Sequence, residues 1–264
     1  MNLNRFPRVR LCHSPTPLEP LKKLSQYLGG PEIWIKRDDC TGLATGGNKT
    51  RKLEFLVGEA LAQGADTLVT QGAVQSNHAR QTAAAACLQD MKCHILLERR
   101  VPGHGDSYEQ TGNVLLDRMF GSSIEYRPAG CDMNAEAEEA CRKLREQGAK
   151  PYFIPGGGSN EVGALGYVEC ALELHFQMDQ QSLVFDRLVH ATGSTGTQAG
   201  LVAGLEGIHA VLPVLGVCVR QPRQKQIDAV HALVNKTTHK LGIPEIGIGA
   251  VEADDGYVGE GYGI

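Results

Sequence analysis

Residues 67–98 decide the fold class, and their sequence is TLVTQGAVQSNHARQTAAAACLQDMKCHILLE. The first four residues are apolar or β-branched and predict a strand. Ser76 has the residue type and place of an N-cap for the alanine-rich helix that follows, which reaches about Leu88. Cys93–Glu98 predicts a second strand. A strand, a helix and another strand in this order favour a parallel sheet, because parallel neighbours need a long crossover connection.

The same alternation extends over most of the chain. Further strands are predicted at 32–36, 123–126, 151–154, 188–191 and 214–219, and helices at 52–61, 110–119, 134–147, 161–178, 198–206 and 223–241. The pattern is typical of an α/β fold with mainly parallel sheets flanked by helices. Residues 155–160, PGGGSN, interrupt it as either a domain seam or a tight loop between strand and helix.

The composition describes a globular protein, with 264 residues of which 42% are hydrophobic and 21% charged. A net charge of -4 gives no reason to expect nucleic acid or an anionic membrane as partner. The eight cysteines stand singly, so we expect no metal site and a reducing compartment. The N-terminus has no apolar signal core and no segment approaches a membrane span, which predicts a cytoplasmic location.

A lysine behind two glycines is the first candidate for chemistry. Residues 46–53 read GGNKTRKL at the start of a helical pattern. Glycines bring backbone close to a ligand, and a lysine held at such a turn can form a Schiff base with an aldehyde. Lys49 is therefore a candidate for covalent attachment of a cofactor, although most lysines near a helix start are solvated surface charges.

A second candidate site follows the strand at 188–191. Residues 191–200, ATGSTGTQAG, place glycine and hydroxyl residues directly before a helix. Backbone N–H groups, hydroxyls and the positive end of the helix dipole can converge there on a phosphate. No P-loop lysine closes the loop, which argues against nucleoside triphosphates. The alternative is a connection that binds nothing.

A third candidate is the turn before the alanine-rich helix. Residues 72–78, GAVQSNH, could hold a substrate carboxylate at the helix N-terminus. Asn77 could donate a hydrogen bond to a phenolate oxygen, and Ser76 could stand near a reacting carbon. Simple capping of the helix by Ser76 and Asn77 is the alternative, and His78 alone would be a surface histidine.

The three sites together have the parts that pyridoxal 5'-phosphate needs: a lysine for its aldehyde, a cradle for its phosphate and polar groups for its ring. The chain also resembles the family of D-cysteine desulfhydrase, L-cysteate sulfo-lyase and 1-aminocyclopropane-1-carboxylate deaminase. The resemblance runs from Arg5 to Gly263, and its motifs are GGNKTRKLE at 46–54, QSNH at 75–78, IPGGGSN at 154–160 and GALGYV at 163–168.

The resemblance implies the tryptophan-synthase-β-like fold, called fold type II, in which a smaller domain interrupts a larger one. The larger domain would comprise residues 1–48 and 160–264, and the smaller one residues 49–159. Lys49 would attach the cofactor, and Asn77 would bond its 3'-oxygen. Ser76 and His78 would receive the substrate carboxylate, with Asn77 beside them. The phosphate would be held by Gly193, Ser194, Thr195, Gly196 and Thr197.

The C-terminal region departs from the family pattern. Tyr262 matches the family's active-site tyrosine, but Glu260 stands where relatives often carry proline. Relatives continue through a further helix and a segment that supplies a second tyrosine and the group facing the pyridine nitrogen. We therefore expect the chain to be C-terminally truncated, as a fragment or an unusual protein.

The resemblance implies an α,β-elimination on a small amino acid by a cytoplasmic homodimer. D-cysteine, giving pyruvate, ammonia and sulfide, is the first expectation, and L-cysteate, giving sulfite, is the second. Residues 75–78 favour these two substrates over the cyclopropane amino acid. Lys49, Ser76 and Tyr262 would be the catalytic residues. The alternative of another class is a truncated homologue that binds the cofactor without turning over a substrate.

Overall fold

The computed structural model describes residues 1–103 and 105–259. The strands are β1 Leu18–Pro20, β2 Trp34–Lys36, β3 Thr67–Ala73, β4 Lys92–Arg99, β5 Ser123–Pro128, β6 Pro151–Ile154, β7 Leu188–Thr192, β8 Val214–Cys218 and β9 Glu252–Asp254. The α-helices are α1 Lys22–Leu28, α2 Lys49–Ala62, α3 Asn77–Leu88, α4 Gly112–Met119, α5 Met133–Glu146, α6 Glu161–Gln180, α7 Gly196–Glu206 and α8 Arg223–Leu241. The predicted helices and strands are all present, with ends that shift by a few residues.

Two parallel sheets organise this part of the chain. The first has the strand order β5-β4-β3-β6, and the second has the order β7-β8-β9. The loops that carry the second and third candidate sites follow β7 and β3. They therefore lie at the carboxyl ends of parallel strands, where open α/β sheets bind their ligands.

The short strands β1 and β9 and the short helix α1 were not predicted from the sequence. β1 pairs with the predicted β2 in antiparallel orientation, and β9 adds to the second sheet. β1 and β9 have only three residues each, which is too short to show a period of two. Helix α1 has seven residues, fewer than the window over which a helical period is read.

Helices α2 and α6 pack backbone against backbone. A β-carbon on Gly166 of α6 would lie 2.1 Å from the carbonyl oxygen of Arg51 and 2.7 Å from the amide nitrogen of Lys52. Only glycine permits this approach. Leu53 of α2 and Leu165 of α6 belong to the same hydrophobic core.

A buried ionic network reinforces this packing. Arg51 is 1% exposed, and its guanidinium donates hydrogen bonds to Asp38 at 2.8 Å and Glu173 at 3.0 Å. The Tyr167 hydroxyl donates to Asp38 at 2.8 Å. Buried charges are stable only when paired in this way. The network joins the N-terminal segment, α2 and α6, and therefore crosses the predicted domain boundary at residue 49. The division into one domain of residues 1–48 and 160–264 and another of residues 49–159 stays a prediction.

Among the helices described, none combines the length and the apolarity required to cross a membrane.

Candidate active site

The first two candidate sites meet at the start of α2. Gly46 and Gly47 have φ values of 78° and 131°, which are open to glycine, and they turn the chain into the helix at Lys49. The Lys49 Nζ donates a hydrogen bond to the Ser194 Oγ at 3.2 Å. The structure thus brings the predicted cofactor lysine to the predicted phosphate loop, across 145 positions of sequence.

The lysine lies in an environment that favours a neutral amine. Burial lowers the pKa of Lys49 to about 8. Lys52, one helical turn later, is 0% exposed, and burial together with the charge of Lys49 holds its pKa well below the usual range. The Lys52 Nζ donates to the carbonyl oxygen of Gly157 at 3.0 Å and to the Ser159 Oγ at 3.4 Å.

These two lysines test whether the site fits pyridoxal phosphate. Within residues 1–103 and 105–259, neither Lys49 nor Lys52 forms an ion pair with a carboxylate. Two adjacent buried ammonium groups are unfavourable without an anion. A phosphate would supply that negative charge to Lys52, and an aldehyde would react with the amine of Lys49. The residues present therefore fit the cofactor.

The predicted phosphate loop has an open helix N-terminus. Thr195 is the N-cap of α7, with a φ of 44° and no side-chain capping bond. Ser159 ties the loop to the triple-glycine segment, because its Oγ donates to the carbonyl oxygen of Ser194 and accepts from the Gly196 amide at 3.3 Å. Helix N-termini bind phosphate through such free donors and through the helix dipole. The assignment of the phosphate to residues 193–197 stays a prediction.

The third candidate site begins α3 as expected. Ser76 is the N-cap, and its Oγ accepts a hydrogen bond from the Ala79 amide at 3.2 Å, which confirms the capping. The hydroxyl hydrogen of Ser76 remains available to donate. Asn77 is half-buried, and its side-chain amide forms no hydrogen bond to any other residue that the structure describes. Both side chains keep donors for a ligand.

His78 is placed differently from its neighbours. It is buried at 3% exposure, and its Nε2 hydrogen-bonds with the Thr70 Oγ1 at 2.9 Å. Burial, and then the charges of Lys49 and Lys52, hold the pKa of His78 well below its usual range. The imidazole is therefore neutral and engaged inside the fold, and it is not a surface histidine. Its role as a ligand of the substrate carboxylate stays a prediction.

Sequence reasoning did not single out Lys52, Ser159 or Gln81. The Gln81 Oε1 accepts from both the amide and the hydroxyl of Thr50 at 2.9 Å, which joins α3 to α2. The spacing of Lys52 from Lys49 was a usable signal, because residues three apart share a helix face. Gln81 carries no comparable signal.

Two further predictions concern the edges of the site. The predicted catalytic Tyr262, with its neighbour Glu260, lies outside the described residues. No group of three or more histidine, cysteine or acidic residues able to hold a metal ion occurs in the described part of the chain.

Gly157→Ala is expected to weaken cofactor binding by on the order of tenfold or more, because small displacements in a site have large effects. Gly157 has a φ of 68°, and a β-carbon there would lie 2.5 Å from the Ser194 Oγ and 3.4 Å from the Lys49 Nζ. Gly148→Ala is the matched control, since its φ is 88° but nothing lies within 4 Å of the added carbon. Absorbance titration with pyridoxal phosphate measures both variants. Equal affinities in the two variants would contradict the prediction.

Comparison with known proteins agrees with this geometry. The chain is 44% identical to the D-cysteine desulfhydrase of Serratia proteamaculans (strain 568) over 262 residues, which are 99% of this chain and 78% of that protein. It is 45% identical over 262 residues to the D-cysteine desulfhydrase of Klebsiella pneumoniae subsp. pneumoniae, covering 99% of this chain and 79% of the relative.

Solved structures show the same architecture. A crystal structure of an ACC deaminase homologue superposes with a TM-score of 0.85 at 37% identity, covering 95% of this chain and 74% of the other. A crystal structure of a threonine deaminase from T.th. superposes with a TM-score of 0.60 at 23% identity, over 77% and 59% of the two chains, and supports the fold alone. The expected fold type II is confirmed.

The expected cofactor is confirmed as well, because the chain matches a family whose members depend on it. The model that describes pyridoxal-phosphate dependent enzymes matches residues 9–264. The chain belongs to the family of pyridoxal-phosphate dependent enzymes.

Proposed function

We propose that this chain catalyses the α,β-elimination of D-cysteine to pyruvate, ammonia and sulfide. The observation that carries the proposal is the Lys49 amine, with a pKa lowered to about 8, at 3.2 Å from Ser194 of the phosphate loop. A lysine with a lowered pKa supplies the neutral amine that covalent and base catalysis require. The identity with two proteins named D-cysteine desulfhydrase supports the choice of substrate.

Pyridoxal phosphate, when bound, supplies an aromatic ring that accepts the electron pair left by proton loss from Cα. Lys49 would attach the group and, once released, take the Cα proton on its Nζ. Ser194 orients that amine through its hydroxyl. Lys52 and residues 193–197 would hold the phosphate. Binding at this point would fix the orientation of the Lys49 amine relative to the substrate.

Ser76 and Asn77 would bind the substrate carboxylate at the start of α3. The positive end of the helix dipole favours a negative charge there, and the Ser76 hydroxyl can donate a hydrogen bond to it. In the net reaction the Cα–H and Cβ–S bonds break and sulfide leaves. The released aminoacrylate then takes up water and gives pyruvate and ammonia.

A second substrate and a second class of function are kept as alternatives. L-cysteate would react in the same way and release sulfite. A protein that binds the cofactor without turnover is the other class.

We also propose that the protein is a homodimer in the cytoplasm. The eight cysteines are all free thiols, which suits a reducing compartment.

The test compares four amino acids at equal concentration with the loaded protein: D-cysteine, L-cysteine, L-cysteate and 1-aminocyclopropane-1-carboxylate. Pyruvate, sulfide and sulfite are measured separately. We expect D-cysteine to give pyruvate and sulfide at a rate about tenfold or more above the rates with the other three amino acids. A site whose buried polar groups pair with one substrate strongly rejects a substrate that leaves them unpaired. A yellow protein that yields no pyruvate would overturn the proposal and favour cofactor binding alone.

A further inference from the structure

The turn that delivers Lys49 is strained. Ala44 and Thr45 have φ values of 45° and 70°, a region that residues with a β-carbon rarely adopt. Gly46 completes the turn, and a β-carbon there would lie 2.0 Å from the carbonyl oxygen of Asp39. A backbone of this kind persists only when its surroundings hold it.

One side chain from a different element holds this turn. Arg80 lies in α3, one helical turn after Asn77, and is 5% exposed. Its Nη1 donates to the carbonyl oxygen of Ala44, to the Thr45 Oγ1 at 2.6 Å and to the carbonyl oxygen of Gly46 at 3.0 Å. A single nitrogen thus donates hydrogen bonds to oxygens of three successive residues.

A buried carboxyl group on α4 lies within the electrostatic range of Arg80. Asp117 of α4 is 0% exposed, and neither of its oxygens has a hydrogen-bond partner in the described part of the chain. The Arg80 Nε also lacks a partner among the described residues. Burial raises the pKa of Asp117 to about 7, and the positive charge of Arg80 opposes that rise. No ion pair joins the two residues in the described part of the chain, so their attraction acts at a longer range than a salt bridge.

We propose that Arg80 is a positioning residue that fixes the strained turn at 43–47 and so sets the Lys49 amine in its reactive place. The proposal rests on the proposed covalent role of Lys49. It also connects the substrate side of the site with the cofactor side, because Arg80 and Asn77 belong to the same helix.

The experiment measures how fast the apoenzyme captures pyridoxal phosphate. Absorbance gives the rate, and borohydride reduction with peptide mapping identifies the lysine that is labelled. The variants are Arg80→Met, Arg80→Lys and the double variant Arg80→Met with Asp117→Asn. Arg127→Met is the matched control, because it removes an arginine that does not contact the turn. Arg127 is paired with Glu125 at 2.7 Å. Thermal unfolding of each apoenzyme is recorded in parallel.

We expect Arg80→Met to slow labelling of Lys49 by on the order of 10²-fold, the effect of a reactive group displaced by about 1 Å. Arg80→Lys should restore most of the rate, because an ammonium group carries three donors for the three oxygens. The double variant should regain thermal stability over Arg80→Met, since the unpaired buried carboxylate is gone, yet label Lys49 equally slowly.

Three outcomes would overturn the inference. One is an Arg80→Met rate equal to that of Arg127→Met. Another is an Arg80→Lys variant no faster than Arg80→Met, which would assign Arg80 a purely structural role. The third is a double variant that regains speed together with stability. Absence of any label on Lys49 in the unmutated protein would instead refute the proposed function, and the inference with it.

Discussion

Lys49→Ala is expected to lower pyruvate formation from D-cysteine by on the order of 10³-fold or more, because both the covalent attachment and the proton acceptor are lost. The Lys49 Nζ donates a hydrogen bond to the Ser194 Oγ, and burial lowers the pKa of this amine to about 8. Borohydride reduction of the loaded protein, followed by peptide mapping, should label Lys49 in the unmutated protein and no lysine in the variant.

Lys49→Arg is the control for charge. A guanidinium stays protonated and cannot take up the Cα proton, so this variant should be as inactive as the alanine variant. Labelling of unmutated apoenzyme should also rise as the pH passes about 8, where Lys49 loses its proton. An ordinary lysine would show that rise at about pH 10.4. A reducible bond that persists in Lys49→Ala would contradict the assignment.

Lys52→Met is expected to have opposite effects on the loaded and the unloaded protein. Affinity for pyridoxal phosphate should fall by on the order of 10²-fold, because a buried charge that faces the phosphate is removed. The free energy of unfolding of the apoenzyme should rise, since Lys52 is fully buried and has no carboxylate partner within the described residues. Absorbance titration and thermal unfolding measure the two effects.

Two controls separate the phosphate from general damage. Pyridoxal, which lacks the phosphate, should bind the Lys52→Met variant and the unmutated protein with similar affinity. Lys143→Met removes an exposed lysine whose partner Glu139 lies 3.8 Å away, and it should leave both measurements unchanged. A Lys52→Met apoenzyme that is less stable, with unchanged affinity for the phosphate form, would refute the role given to Lys52.

The sequence predicted the sheets and the general position of the site because both depend on local patterns. Apolar runs, helix periods and glycine turns placed the strands β3 and β7 and the loops after them. Loops at the carboxyl ends of parallel strands are brought towards a common cleft by the fold itself. The hydrogen bond between Lys49 and Ser194 is consistent with that reasoning.

The remaining features depend on contacts between distant segments. Lys52 is fully buried because distant segments cover it: its Nζ donates to the carbonyl oxygen of Gly157, and Gly166 lets α6 approach α2 closely. Arg80 and Asp117 belong to separate helices, so no local spacing relates them. His78 was interpreted as a surface or substrate-facing histidine, and its bond to Thr70 depends on how α3 lies against β3.

The adjacent buried lysines have a consequence for the lifetime of the protein in a cell. Lys49 and Lys52 have no carboxylate partner in the described part of the chain, so the unloaded protein keeps two buried amines whose charged forms are unfavourable. A ligand that binds only the folded state adds about 2.7 kcal/mol of stability at a hundred times its Kd. Unfolded chains are removed by proteases. We therefore expect a cell that is starved of vitamin B6 to lose the protein itself, beyond losing its activity.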